Sequence, residues 1–191
     1  LSTLDGTSGF RLDGVATGDM SGYSVSSAGD INGDGYADLI IRAKGADPNG
    51  SLSGSSYVVY GGVADFSEIS TINSVASGST GFRLDGEAEQ DFSGTVSSAG
   101  DINGDGYDDM IIGAQSADPN GTGSGSSYVV YGKAENFSST FNLSILDGTN
   151  GFRLDGVAEG DRSGLSASSA GDINGDGYDD LIIGASEADL N

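Results

Sequence analysis

The sequence predicts an all-β fold made of β-propeller blades, each of four antiparallel strands, in an incomplete ring of about two and a half to three blades. Three observations carry that expectation. The acidic pattern DxNxDGxxD occurs three times, starting at Asp30, Asp101 and Asp172, so the repeats follow at a constant 71 residues (101 − 30 and 172 − 101). Each copy runs straight into a short apolar segment, Leu39-Ile40-Ile41, Met110-Ile111-Ile112 or Leu181-Ile182-Ile183. No stretch places apolar residues at the 3.6-residue period of an amphipathic helix. Four short strands per repeat of several tens of residues describe one propeller blade.

The first predicted strand approaches the acidic loop, from Ser24 to Gly29, and its Ser-Ser-Ala-Gly ending returns at Ser97 to Gly100 and at Ser168 to Gly171. The second runs from Asp38 to Ala43, a β-branched run between turn signals that reads as a strand buried on both faces. The third is Ser56-Tyr57-Val58-Val59-Tyr60-Gly61, repeated from Ser127 to Gly132, after a glycine-rich loop that opens at Asp47 and again at Asp118. The fourth is Gly9-Phe10-Arg11-Leu12-Asp13-Gly14, repeated from Gly81 to Gly86 and from Gly151 to Gly156.

The expected division is therefore 1–23 as the last strand of a preceding blade plus a connector, 24–94 as a first blade, 95–164 as a second, and 165–191 as the first two strands of a third. Propellers close with about four to eight blades, so such a chain is expected to be a piece of a larger propeller or a subunit completed by neighbours. Its open strand edges would pair with other copies of itself or with the remaining blades.

The acidic loops have the chemistry of a cage for a hard cation. Asp30, Asn32 and Asp34 alternate with Ile31 and Gly33, so three side-chain oxygens can converge while the chain turns at glycines, where positive φ is cheap. The carbonyl of Tyr36 can turn inward and Asp38 closes the shell. Five protein oxygens with one or two waters match the six to eight oxygen ligands that calcium takes. Zinc prefers nitrogen or sulfur, and the chain has no His and no Cys. Ordinary Asx-turns use the same residues, but carboxylates gathered at about 4 Å repel by about 4 kcal/mol per pair at an effective dielectric near 20. A bound ion relieves that repulsion.

An EF-hand shares the opening DxNxDG but needs a glutamate at the twelfth loop position, followed by a helix. Here that position is Ile41, Ile112 or Ile183, within the predicted strand. Such loops, lacking a bidentate glutamate, are expected to bind calcium at about 10⁻⁴ to 10⁻³ M, the range of extracellular modules. The expected location is extracellular or at the cell surface.

The 29 acidic against 7 basic residues give a net charge of −22, which three divalent ions would bring to −16. Nucleic acid and anionic membrane surfaces are poor partners for that charge, and no run is long enough to cross a bilayer as a helix. The 34 glycines mark turns rather than disorder, because the hydrophobic 36% of the residues is grouped into strand-length runs. With no His or Cys for general acid-base or nucleophilic work, no catalytic residue is assigned.

At this point the chain resembles the FG-GAP repeats, the units of the integrin α-subunit propeller and of many large bacterial surface proteins. In that family a Phe-Gly pair precedes the first strand, a DxNxDGxxD calcium loop links the first two strands, and Gly-Ala-Pro follows the second. The resemblance implies Ca²⁺ at three sites. The implied ligands are Asp30, Asn32, Asp34, the Tyr36 carbonyl and Asp38; then Asp101, Asn103, Asp105, the Tyr107 carbonyl and Asp109; then Asp172, Asn174, Asp176, the Tyr178 carbonyl and Asp180. The chain departs from the pattern at Ser21, Ser93 and Ser163, where the Phe of Phe-Gly belongs, and at Arg42-Ala43-Lys44, Gly113-Ala114-Gln115 and Gly184-Ala185-Ser186. Phe10, Phe82 and Phe152 are the candidates to supply the missing aromatic.

Two functional classes follow. The first is a calcium-stiffened structural or assembly module of an extracellular protein, adhesin or filament, favoured by repeats that differ little in their loops. The second is an adhesive recognition domain that binds a protein or glycan through loops on one propeller face; an accessory module of a hydrolase is a third, weaker reading. Arg11, Arg83 and Arg153 are expected in ion pairs between blades, and Tyr57, Tyr60, Tyr128 and Tyr131 in packing. Asn49, Asn120, Asn136 and Asn142 open glycosylation sequons.

Overall fold

The computed structural model describes residue 4 and residues 9–62, 71–91 and 95–189. Eleven strands are formed by the described residues: β1 (Ser21–Gly29), β2 (Asp38–Ala43), β3 (Ser55–Val59), β4 (Gly81–Asp85), β5 (Thr95–Gly100), β6 (Asp109–Ala114), β7 (Ser126–Val130), β8 (Thr140–Asn142), β9 (Gly151–Asp155), β10 (Ser163–Gly171) and β11 (Asp180–Ala185). They make three sheets, ordered β1-β2-β3-β4-β8, β5-β6-β7-β9 and β10-β11. Within a blade every pair is antiparallel, as in β2 on β3, where Ile41 faces Tyr57, and sequential strands pair except that β7 skips β8 to pair with β9. The protein is thus built of successive blade-like meanders in an open arrangement, with the predicted strands at the predicted places except the first Phe-Arg-Leu-Asp segment, where 9–14 forms only an isolated bridge at Asp13. Ser93 lies outside the described residues.

Three features depart from the sequence reading. The connection between β7 and β9 sends β8 back to the first sheet, where it pairs parallel with β4 through Arg83 and Thr140. The Asp13 to Thr71 bridge repeats that brace one blade earlier. A four-residue helix, α1 (Ile72–Val75), and a 3₁₀ turn at Leu143–Ile145 occur where no helix was expected. Both are single turns, too short to display a period. Their apolar residues explain them: Ile72 and Val75 pack on Tyr57 and Val59, and Leu143 enters the core between the first two blades.

Side chains alternate across a strand, so each blade has two faces. Ala28, Ile31, Ile40, Val58 and Phe82 of the first blade meet Val96, Met110, Ile112, Tyr128 and Val130 of the second in one core. Ala99, Ile111 and Val129, on the far side of the second blade, meet Ala167, Leu181 and Ile183. Phe82 stacks on Phe137 at 4.2 Å between centroids, and Phe152 meets Tyr131 edge-on at 6.0 Å. Two of the three nominated phenylalanines therefore fill inter-blade space.

Candidate functional site

Each acidic loop joins the first strand of a blade to the second: β1 to β2, β5 to β6 and β10 to β11. Two glycines shape it. Gly33 and Gly35 have φ of 71° and 88°, Gly104 and Gly106 of 76° and 90°, and Gly175 and Gly177 of 78° and 92°. Only glycine takes that region without strain, so the three loops share one backbone path.

The backbone turn collects the loop oxygens. The Asp34 N–H donates to both Asp30 Oδ1, at 3.1 Å, and Asn32 Oδ1, at 3.0 Å. Gly35 N–H donates to Asp30 Oδ2 at 2.9 Å, and Tyr36 N–H to Asp34 Oδ1 at 2.9 Å. The same bonds recur around Asp101, Asn103 and Asp105, and around Asp172, Asn174 and Asp176. Tyr107 and Tyr178 are tied at 3.0 Å to Asp105 and Asp176, which fixes the backbone at the seventh residue.

The ninth residue lies beneath the turn. Asp38 Oδ2 accepts the Ile31 N–H at 3.0 Å and its Oδ1 accepts the Gly61 N–H at 2.7 Å, tying the loop to the end of β3. Asp109 does the same with Ile102 and Gly132. Asp180 accepts from Ile173 at 2.9 Å and from the Asn174 amide at 3.4 Å, so the third and ninth residues of that loop are within reach of each other. Burial pushes the Asp38 carboxyl up to about 6 and the Asp109 carboxyl up to about 7, and the neighbouring loop aspartates push the same way. Their backbone donors pull downward without prevailing. On the exposed side, backbone N–H groups led by that of Gly177 hold Asp172 below the usual carboxylate range.

Among the described residues no three Asp or Glu side chains are gathered closely enough to hold a metal ion as they stand. The loop carboxylates are turned onto backbone N–H groups instead. Even so, the donor set is entirely oxygen, and Asp30 and Asn32 present oxygens to a single N–H. The third and fifth loop residues also line open clefts, one of about 360 Å³ beside Asn32 and Asp34 and one of about 220 Å³ beside Asn103 and Asp105. These residues fit a hard, oxygen-seeking cation approached from solvent.

The arginines expected between blades pair mainly with the aspartate two residues on: Arg11 with Asp13 at 2.8 Å, Arg83 with Asp85 at 2.6 Å and Arg153 with Asp155 at 2.8 Å. Residues two apart share a strand face. Arg153 also reaches Glu87, in the connector to the second blade, at 3.0 Å. Tyr57, Tyr60 and Tyr128 are buried, as packing residues. The Asn49 and Asn120 side-chain amides donate to the Gly86 and Gly156 carbonyls at 2.7 Å, so their nitrogens are engaged inside the fold.

Sequence reasoning missed the eighth loop residue. Asp108 Oδ2 accepts the Asp30 N–H at 2.7 Å, and Asp179 Oδ2 accepts the Asp101 N–H at 2.9 Å, each reaching from one blade to the loop before it. The motif writes this position as x, and Ala37 occupies it in the first loop.

The FG-GAP repeat pattern matches residues 21–59, 93–130 and 164–191, covering the first strands and acidic loop of every blade. The chain is 29% identical over 181 residues to integrin alpha-6 of Gallus gallus, covering 92% of this chain and 14% of that protein. It is 32% identical over 181 residues to integrin alpha-PS5 of Drosophila melanogaster, covering 92% and 16%. Against integrin alpha-IIb of Mus musculus it is 30% identical over 180 residues, covering 92% and 16%. The chain spans roughly one seventh of the length of these relatives. With the family pattern falling on three successive blades and on their loops, the chain belongs to the FG-GAP repeat family.

Proposed function

We propose that this chain is a calcium-stabilised structural module of an extracellular or cell-surface protein, with Ca²⁺ held in each of the three loops. The observation that carries the reading is the threefold recurrence of one loop path, with oxygen donors at the first, third, fifth and ninth residues, always between the first two strands of a blade. Asp30, Asn32, Asp34, the Tyr36 carbonyl and Asp38 would hold the first ion, and their counterparts at 101–109 and 172–180 the others. The ion supplies positive charge where buried Asp38 and Asp109 stand beside other carboxylates, so it ties β1 to β2 and β5 to β6. Asp38 and Asp109 also position the loop through the Gly61 and Gly132 N–H groups. The role is non-catalytic, and its partners are further blades or other subunits.

A second reading, an adhesive domain that binds a protein or glycan through loops on one propeller face, is favoured by the integrin relatives. Calorimetric titration with calcium, followed by sizing with and without chelator, tests the proposal. Three ions per chain and a loss of stability in chelator support it. No uptake at millimolar calcium sinks it.

A further inference from the structure

The first two acidic loops differ in one charged neighbour. In the first blade β3 runs out through Tyr60-Gly61-Gly62, and in the second β7 runs out through Tyr131-Gly132-Lys133. Gly61 and Gly132 do the same work, donating to Asp38 and Asp109. The next residue does not. Gly62 has φ of 65° and lies against the Tyr36 ring, so close that a Cβ would run into it, which leaves no room for a side chain as the loop stands. In the second blade the chain takes another path. The Lys133 N–H donates to the Ile31 carbonyl at 2.9 Å, and Lys133 lines the cleft of about 220 Å³ that Asn103 and Asp105 also line.

Two contacts hold the lysine there. Its backbone is pinned through Ile31, and its ammonium rests 4.8 Å from the centre of the Phe137 ring. Phe137 is itself buried, stacked on Phe82 at 4.2 Å. A cation over an aromatic face is attracted to it, so a flexible lysine stem has a preferred resting place beside the second loop. No basic side chain lines the cleft of about 360 Å³ beside Asn32 and Asp34. With 7 basic residues against 29 acidic ones, composition alone does not supply such a neighbour.

We infer that Lys133 is a tethered cation that competes with the divalent ion at the second loop, setting the calcium affinity of that loop below the value its own oxygens would give. The inference rests on the proposed calcium reading and deepens it: the first two sites are unequal, and a charge outside the loop sets the difference. Like charges sharing one cleft repel, and the ammonium also offsets part of the negative field of Asp101, Asp105 and Asp109 before the ion arrives. Lys133 is exposed, so salt screens the effect.

Lys133→Met tests it by keeping an unbranched stem against Phe137 while removing the charge. Calcium titration of the full chain, followed through the amide resonances of Gly104 and Gly106 for the second loop and of Gly33 and Gly35 for the first, reads the two sites separately. At low salt the variant is expected to bind calcium at the second loop about three- to tenfold more tightly than the parent, with a smaller change at the first loop. Added potassium chloride is expected to shrink the difference. Lys133→Arg, which keeps the charge, is expected to stay near the parent. An affinity at the second loop that is unchanged or lower in Lys133→Met overturns the inference while leaving the calcium reading intact, and so does a gain that is as large at the first loop or indifferent to salt. A parent in which no loop responds to calcium sinks the calcium reading and the inference together.

Discussion

The Asp108 carboxylate accepts the Asp30 backbone N–H at 2.7 Å across 78 residues of sequence, joining the loop of one blade to the loop of the next. A hydrogen bond to a charged acceptor contributes about 1.5–3 kcal/mol. Asp108→Ala should therefore lower the unfolding free energy by about that amount, and should speed hydrogen exchange at the Asp30 amide while leaving the Asp101 amide protected. Asp108→Asn, which keeps an acceptor oxygen, should recover part of the loss. Amide exchange read by mass spectrometry separates these outcomes, and equal protection of Asp30 in all three proteins would refute the bond between the loops.

Burial differs sharply between equivalent positions. Ile31 is fully enclosed between the first two blades, whereas Ile173 stands largely in solvent. Ile31→Ala should cost about 2–5 kcal/mol and Ile173→Ala well under about 1 kcal/mol. Paired thermal melts check the contrast, and equal losses would mean that the third blade is covered in solution.

Gly104 and Gly175 both need positive φ, but only Gly104 lies under a tyrosine ring. Alanine at either site carries the backbone strain of a residue at positive φ, about 1 kcal/mol. Gly104→Ala also has to displace Tyr178, so it should be the more damaging of the two. Chemical denaturation of both variants under one buffer condition gives the comparison.

Asp91 is buried, and burial pushes its carboxyl up to about 6, against the N–H of Ala88 and with Glu87 adding to the rise. A carboxyl that binds its proton more tightly in the folded than in the unfolded chain favours folding at low pH. Its contribution declines as pH rises from about 4 through about 6 and is level above that. Asp91→Asn removes the decline, so the variant should gain on the parent by on the order of 1–2 kcal/mol between pH 4 and pH 7. Melting curves across that range show whether the gap widens with pH as expected; a gap that stays constant or narrows contradicts it.

Much of the blade was legible because repetition exposes it. The run after each loop and the Tyr-Val-Val-Tyr segment are strands wherever they recur, the Phe-Arg-Leu-Asp segment is one at 81–85 and 151–155 but only an isolated bridge at Asp13 in its first copy, and the positive-φ glycines of the loops stand where the sequence puts them. Relations between repeats were not legible. Nothing local distinguishes Asp108 from a solvent-facing residue, since its partner amide is 78 positions away. The β8 brace and α1 lie in the connections between the third and fourth strands, where the repeats diverge. They form because Phe137, Leu143, Ile72 and Val75 have cores to enter. The arginines, expected in ion pairs between blades, each pair with the aspartate two residues on, and Arg153 also reaches Glu87 beyond its own blade.

The most direct measurement of the central claim is the number of calcium ions the chain binds, determined by calorimetry on the parent and on Asp34→Ala, Asp105→Ala and Asp176→Ala. The account predicts three ions for the parent, two for each single variant, and a parent melting temperature that falls in chelator and is restored by calcium. A parent that takes up no calcium at millimolar concentration, or single variants that still bind three ions, would contradict it.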